Sequence, residues 1–184
     1  MKDSTLKDFL RNLGNRSPAP GGGAVSAING ALASAQLKMV CEYTKDESVK
    51  NNAEPLARKT DKFLGLAEED AEAFESVSNA YKTGDKTRID TALAEAVKVS
   101  SGVLADCEEV LELCEKNYEK FNRKLNADVI TALANLRAAV LSSQAMIRTN
   151  KNAFSSEPND LEGQLRFSDE LKLRIDRLTE SIEV

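Results

Sequence analysis

Asp70 occupies a position that calls for a chemical explanation. It lies in a run, Leu56, Thr60, Phe63, Ala67, Asp70, Phe74, Val77 and Tyr81, that advances in steps of four and three. That spacing forms one seam along a helix. A carboxylate at a seam position loses water, and its pKa rises unless a partner offsets the loss. A carboxyl tuned in this way can accept and return a proton near neutral pH, which is general acid–base work. The same spacing fits a slightly rotated helix that leaves Asp70 at the rim beside a lysine or arginine.

The second chemical feature is Gly21-Gly22-Gly23, which follows Pro18 and Pro20 and precedes a helix-compatible run. Backbone N–H groups at such a loop can face an anion. No strand precedes the loop and no GK[ST] ending follows it, so a nucleotide site is unsupported. A tight turn that lets a crowded helix begin accounts for the glycines equally well. Ser100, Ser143 and Asn150 place polar atoms on later seams, as a polar pocket or a wet subunit interface would. Asp128, Arg148 and Lys151 lie near one of these seams, where they could bind a charged ligand or form a solvated face.

The chain has no histidine, which excludes His-based catalysis and the usual zinc sites, so no metal is expected. Acid–base work falls to carboxylates, Lys, Tyr or Cys. Cys41, Cys107 and Cys114 are odd in number and lack CxxC spacing, which fits free thiols in a reducing compartment. Cys107 and Cys114 fall seven apart, as core positions do. A net charge of −5 and the absence of Trp give no electrostatic or stacking footprint for nucleic acid.

These groups must be positioned by helices. Ser17 to Leu37 carries no charge in a protein that is 30% charged, where about six charges would be expected by chance. Its small residues, Gly23, Ala27, Gly30, Ala31, Ser34 and Ala35, allow close backbone approach, so the stretch reads as a central buried helix reaching about Tyr43. Asn29, Gln36 and the glycines argue against a membrane span there. A short first helix carries Leu6, Phe9, Leu10 and Leu13, with a cap expected at Asp3 or Ser4. Pro55 suits a helix start or a kink. Further seams run through Leu93, Val97, Ser100, Leu104, Cys107, Leu111 and Cys114, then from Phe121 through Val129, Leu136, Ser143, Met146 and Asn150 to Phe154. Breaks at Pro158 and Asn159-Asp160 precede a last helix holding Leu161, Leu165, Leu171, Ile175, Leu178 and Ile182 inward. No segment alternates as a strand does. The expectation is an all-α, single-domain antiparallel bundle of about five to six helices over residues 1–184. The charged N-terminus MKDSTLKDFL is unlike a signal peptide and points to the cytoplasm, with no membrane partner.

The motifs support a resemblance. SPAPGGGAVSAINGALASAQLKMV resembles the Pro-x-Pro-Gly-Gly-Gly loop and small-residue helix of the cyclodeaminase/cyclohydrolase family of folate enzymes. That family includes the formiminotetrahydrofolate cyclodeaminase domain and the stand-alone methenyltetrahydrofolate cyclohydrolases. EEDAEAFESVSNAYK, through Asp70, Ala71, Ala73 and Phe74, is similar to its second hallmark, Asp-Ala-x-Ala-Phe. The family's Asn followed five residues later by Ser-Asp is met by Asn122 and Asp128, with Ala127 in place of the serine. Its Asn-Val-x-x-Asn pattern reads Met146-Ile147-Arg148-Thr149-Asn150, so the first Asn is lost. Both substitutions remove hydrogen-bonding groups that the resemblance places at the pocket.

The resemblance implies a homodimeric helical-bundle enzyme acting on the one-carbon unit between N5 and N10 of tetrahydrofolate. The folate is substrate, and no tightly bound cofactor is implied. The expected reaction is hydrolysis of 5,10-methenyltetrahydrofolate to 10-formyltetrahydrofolate, since no formiminotransferase domain is attached. Formiminotetrahydrofolate cyclodeaminase is the alternative activity, and a non-catalytic folate-binding homologue is the rival of a different class. Asp70 is the implied catalytic carboxylate, with Pro20, Gly21, Gly22 and Gly23 shaping the pocket. Asn122, Asp128 and Asn150 are implied contacts to the pterin or the bridging carbon, and Arg148 a contact to the glutamate tail.

Overall fold

The computed structural model describes residues 5–156 and 160–183, and over these the chain is a helical bundle without strands. Helix α1 (Leu6–Leu13) begins at Thr5, whose Oγ1 accepts the Asp8 N–H. The cap expected at Asp3 or Ser4 and the break at Pro158 and Asn159 lie outside the described residues. Helix α2 (Gly22–Glu42) stops one residue before Tyr43. A single turn, α3 (Glu47–Lys50), leads to α4 (Ala53–Thr83), with Pro55 in its first turn. Gly84, at φ 69°, ends α4 in the left-handed conformation that glycine adopts most readily. Asp85 caps α5 (Lys86–Asn117) by accepting the N–H groups of Thr87 and Arg88. Two 3-10 turns occupy residues 118–125, so α6 (Asn126–Lys151) starts five residues later than the apolar pattern from Phe121 suggests. Helix α7 (Leu161–Ser181) closes the bundle.

Helix α2 is the central strut, packed against α4 and α6 and touching α5. Directions follow from the residues that meet. Gly23 lies against Asp70 and Gly30 against Phe63, so α4 runs antiparallel to α2. Ser26 meets Ser143 while Gln36 meets Asp128, so α6 is antiparallel as well. Lys59 with Asp106, and Leu66 with Gly102, set α5 against α4 in the opposite sense. Arg137 grips Asp176 and Gln144 donates to Ser168, which fixes α7 against α6.

Small residues decide how closely α2 and α4 pack. A Cβ on Gly30 would lie 2.5 Å from the ring of Phe63, which is fully buried. Gly30→Ala should therefore cost about 1–3 kcal/mol through overpacking. That corresponds to a fall in Tm of roughly 3–10 °C, readable by calorimetry. Ser26, Ala27, Ala31 and Ser34 are buried beside it, but Leu32 and Ala35 are exposed. The helix is thus central yet open along one face, not enclosed on every side.

The α4 seam holds only as far as Asp70. Beyond it Ala73 and Ala80 are buried, while Phe74 and Tyr81 are 46% and 50% exposed. The cause is geometric: α2 begins at Gly22, opposite Asp70, so it does not extend over the last turns of α4, which pack against α5. On α6 the seam drifts by one position, burying Gln144 and Ile147 and leaving Met146 and Asn150 half-buried. A helix of 3.6 residues per turn drifts in this way against a 3.5-residue pattern.

Polar core groups are mostly satisfied locally. Ser26 donates to the Ala139 carbonyl and shares a hydrogen bond with Ser143, and Ser100 reaches the Ala96 carbonyl of its own helix. Ser100 and Ser143 are therefore satisfied core residues. Asp106 is fully buried, and its Oδ1 takes Lys59 and Lys62 at 2.6 and 2.7 Å, clamping α5 to α4. Segment 123–151 is long and apolar enough, by length and composition, to cross a membrane. Here it serves as a core helix, with Val129, Ala132, Leu133, Leu136, Ala139 and Val140 buried.

Candidate active site

The glycine loop and Asp70 meet at the N-terminus of α2. Gly21 is the N-cap residue and has no side chain to satisfy the first-turn N–H groups. Asp70 supplies the cap from α4: its Oδ2 accepts the Ala24 N–H at 2.9 Å. The carboxylate lies so close over the loop that a Cβ on Gly23 would stand 1.8 Å from Oδ1. Only glycine admits this approach. A Cβ on Gly21 would meet nothing within 4 Å, so the loop is open at its cap residue.

Among the described residues no lysine or arginine pairs with Asp70, which removes the placement beside a surface cation. Burial pushes its carboxyl above the usual carboxylate range, and the Ala24 N–H, which favours the charged form, only partly opposes this. The result is a half-buried carboxyl, fixed by one hydrogen bond and lacking a counter-ion. Such a group can hold a cation or shuttle a proton.

Three of the remaining expected positions lie at this end. Pro20 leads directly into the Gly21 cap, through a cis Ala19–Pro20 peptide. Arg148 and Asn150 sit on the last turns of α6, Arg148 exposed and Asn150 half-buried. The field of Arg148 contributes to holding the Glu162 and Asp169 carboxyls below their usual range, after their hydrogen bonds to Lys151 and Lys172. Met146 belongs here too, since its Cε would stand 3.2 Å from a Cβ on Gly22. The position where the sequence lacks an expected asparagine therefore covers the glycine loop with a thioether.

Asn122 and Asp128 are placed elsewhere. Asn122 caps the second 3-10 turn and donates to the Tyr43 carbonyl at the C-terminal end of α2. Helix α2 has 21 residues, so that end is about 30 Å from Gly22 at 1.5 Å per residue. Asp128 meets Gln36 at 3.4 Å, about 20 Å along the same helix. Within one chain neither reaches Asp70. Their sequence spacing gave no warning, because α6 runs back along α2 and spreads its residues over the whole bundle length.

The thiols are not available for chemistry. Cys41, Cys107 and Cys114 are free and buried; burial raises Cys41 to about 11 and Cys114 to about 12, and drives Cys107 higher still. The sequence pattern missed two features: the Ala24 N–H as partner of Asp70, and a groove beside it. That groove lies between Pro18–Ala19 and the α4 face carrying Ala71, Glu72, Phe74 and Glu75. Its signal was available, because a helix starting at Gly22 cannot cover α4 beyond Asp70.

Comparison with known proteins places this geometry in context. Residues 5–161 match the family described as formiminotransferase-cyclodeaminase. The chain is 31% identical to a methenyltetrahydrofolate cyclohydrolase of Methylorubrum extorquens, over 94% of each protein. It is 33% identical to the formimidoyltransferase-cyclodeaminase of Sus scrofa over 59% of this chain and 23% of that protein. The crystal structure of a formiminotetrahydrofolate cyclodeaminase from Thermotoga maritima matches with a TM-score of 0.84 and 28% identity, covering 98% of each chain.

Proposed function

The chain belongs to the formiminotransferase-cyclodeaminase family, and from that premise we propose that it hydrolyses 5,10-methenyltetrahydrofolate to 10-formyltetrahydrofolate. The observation that carries the reading is the Asp70 carboxylate, held over the start of α2 without a counter-ion. The methenyl compound is a delocalised cation. A carboxylate beside it stabilises that charge and accepts the proton of the attacking water.

The steps balance. Water adds to the methenyl carbon as its proton passes to Asp70, giving a neutral carbinolamine. Asp70 then returns the proton to N5, the C–N5 bond breaks, and the carbinol O–H loses its proton to solvent as the formyl group forms. One proton is released per turnover. The folate supplies all the carbon chemistry, and the proposed enzyme needs no tightly bound cofactor. Pro20 and Gly21 to Gly23 shape the pocket, while Arg148 and Asn150 stand at the same end of the bundle for the tail and the ring.

The near full-length match to a protein named as a cyclohydrolase favours hydrolysis. The structural match to a cyclodeaminase favours a second reading, in which N10 attacks an N5-formimino carbon and ammonia leaves. Both pass through a tetrahedral carbon between two nitrogens, so one carboxylate serves either. Incubation with each substrate separates them. Accelerated loss of methenyl absorbance without ammonia release is expected; ammonia release from the formimino substrate alone would reverse the assignment. Failure of both assays would leave the non-catalytic reading, for which Met146 over the loop is the best support.

We further propose a cytoplasmic homodimer as the working form, and the open face of α2 supports the association of two copies. Its residues from Val25 to Ala35 carry no charge, and Leu32 is 51% exposed. Sedimentation equilibrium should return twice the chain mass.

A further inference from the structure

The groove beside Asp70 has walls that the hydrolytic step does not use. Phe74 lies one helical turn beyond Asp70 on the same face, with Cβ atoms about 5–6 Å apart. The residue is 46% exposed and lines, with Pro18 and Ala19, a groove of about 390 Å³. A large aromatic residue half open to water contributes little to the core, since α2 ends short of it. Glu72 and Glu75 line the same groove, and among the described residues no cation pairs with either. Lys82 lines the far end of the groove and donates to the neutral Asn79 side chain at 2.9 Å, so the groove holds two carboxylates and one ammonium. An aromatic face together with a net negative charge, whose carboxylates lie nearer to Phe74 than Lys82 does along the helix, is complementary to a flat cation.

We propose that this groove seats the cationic fused-ring end of the substrate, with Phe74 as its stacking face and Glu72 and Glu75 as its counter-charge. The inference rests on the folate reading above and deepens it. A site built this way holds the methenyl cation more tightly than the neutral formyl product, so the chemistry itself loosens the complex. Phe74 thus acts as a positioning residue, and its cost falls on binding and not on the proton transfers.

The test is equilibrium dialysis of 5,10-methenyltetrahydrofolate at mildly acidic pH, where the compound persists, alongside steady-state turnover. Phe74→Leu keeps apolar bulk and removes the ring. Its Kd and KM should rise about tenfold while kcat changes less than about twofold. Phe74→Trp should restore most of the affinity. Glu72→Gln combined with Glu75→Gln should weaken the methenyl cation severalfold, more at low salt, and leave the inhibition constant of neutral 10-formyltetrahydrofolate unmoved. Wild-type affinity in Phe74→Leu would overturn the proposal, as would equal loss of cation and neutral product in the double variant. A halved particle mass in Phe74→Leu with affinity intact would assign the ring to contact between copies, and the proposal would fall. Binding that depends on Phe74 without any turnover would instead contradict the hydrolytic reading and sustain this one. No binding by the wild-type protein would overturn both.

Discussion

Asp70→Asn should lower kcat for methenyl hydrolysis by about 10²–10⁴-fold, the usual contribution of a positioned acid–base group, with no loss of stability. The two halves of this expectation come from one observation. The amide introduced by Asp70→Asn keeps an oxygen that can accept the Ala24 N–H, so the α2 cap survives. What the variant loses is the charge and the proton. Because burial raises the folded-state pKa of Asp70 above its unfolded value, the folded chain holds the proton more firmly than the unfolded one. The stability this contributes is present in full below the unfolded pKa and is lost as pH rises through the folded pKa. Above the folded pKa the ionised carboxylate therefore lowers stability, and there the amide should give a Tm equal to or above that of the parent. A residue whose only role is to cap α2 would retain full activity in Asp70→Asn, because the amide oxygen still accepts the Ala24 N–H.

Gly23→Ala should damage both properties at once. The new Cβ would stand 1.8 Å from Asp70 Oδ1 and 2.4 Å from its carboxyl carbon, and a buried backbone cannot yield easily on the other side. The carboxylate must move by about 1.5 Å to restore van der Waals contact, and a displacement near 1 Å can cost about 10²-fold in rate. Loss of the Ala24 hydrogen bond adds about 1 kcal/mol, and crowding about 1–3 kcal/mol. The gain in helix propensity from replacing glycine returns at most about 1 kcal/mol. The expected sum is a kcat lowered at least about 100-fold and a Tm lower by several degrees, measured on the same preparation. Gly21→Ala, whose Cβ meets nothing within 4 Å, should lower Tm far less than Gly23→Ala, by no more than the loss of a glycine N-cap. A normal rate in Gly23→Ala would show that the close approach of loop and carboxylate has no part in the reaction.

The architecture was legible because apolar spacing is a local property. The seams of α5 and α7 and the uncharged α2 could be read from side-chain types alone, and Gly84 and Pro55 punctuate the helices as their backbone limits require. Phe74 and Tyr81 were misplaced for a non-local reason. Seam spacing continues to the end of α4, but burial depends on whether a neighbour is there, and α2 starts too late to provide one. Asp70 and the glycine loop could be singled out separately, one as a carboxylate in a seam and the other as a triple glycine. Their contact could not, since 46 residues separate Ala24 from Asp70 and only the antiparallel register of α2 and α4 joins them. Asn122 and Asp128 failed to gather at the same place because motif order along a chain carries no information about which end of a long helix a residue reaches.

Hydrolysis of the methenyl bridge is assigned to Asp70, a carboxyl raised above its ordinary pKa. The most direct measurement is the pH dependence of kcat/KM for methenyl hydrolysis, corrected for the buffer reaction, in the parent and in Asp70→Asn. The parent profile should rise with pH through a single ionisation above the usual carboxylate range and then level off, because only the ionised form accepts the proton of water. The variant should be slow and lack that inflection. A parent profile that is flat across this range, or an inflection that persists in Asp70→Asn, would contradict the assignment of the reaction to Asp70.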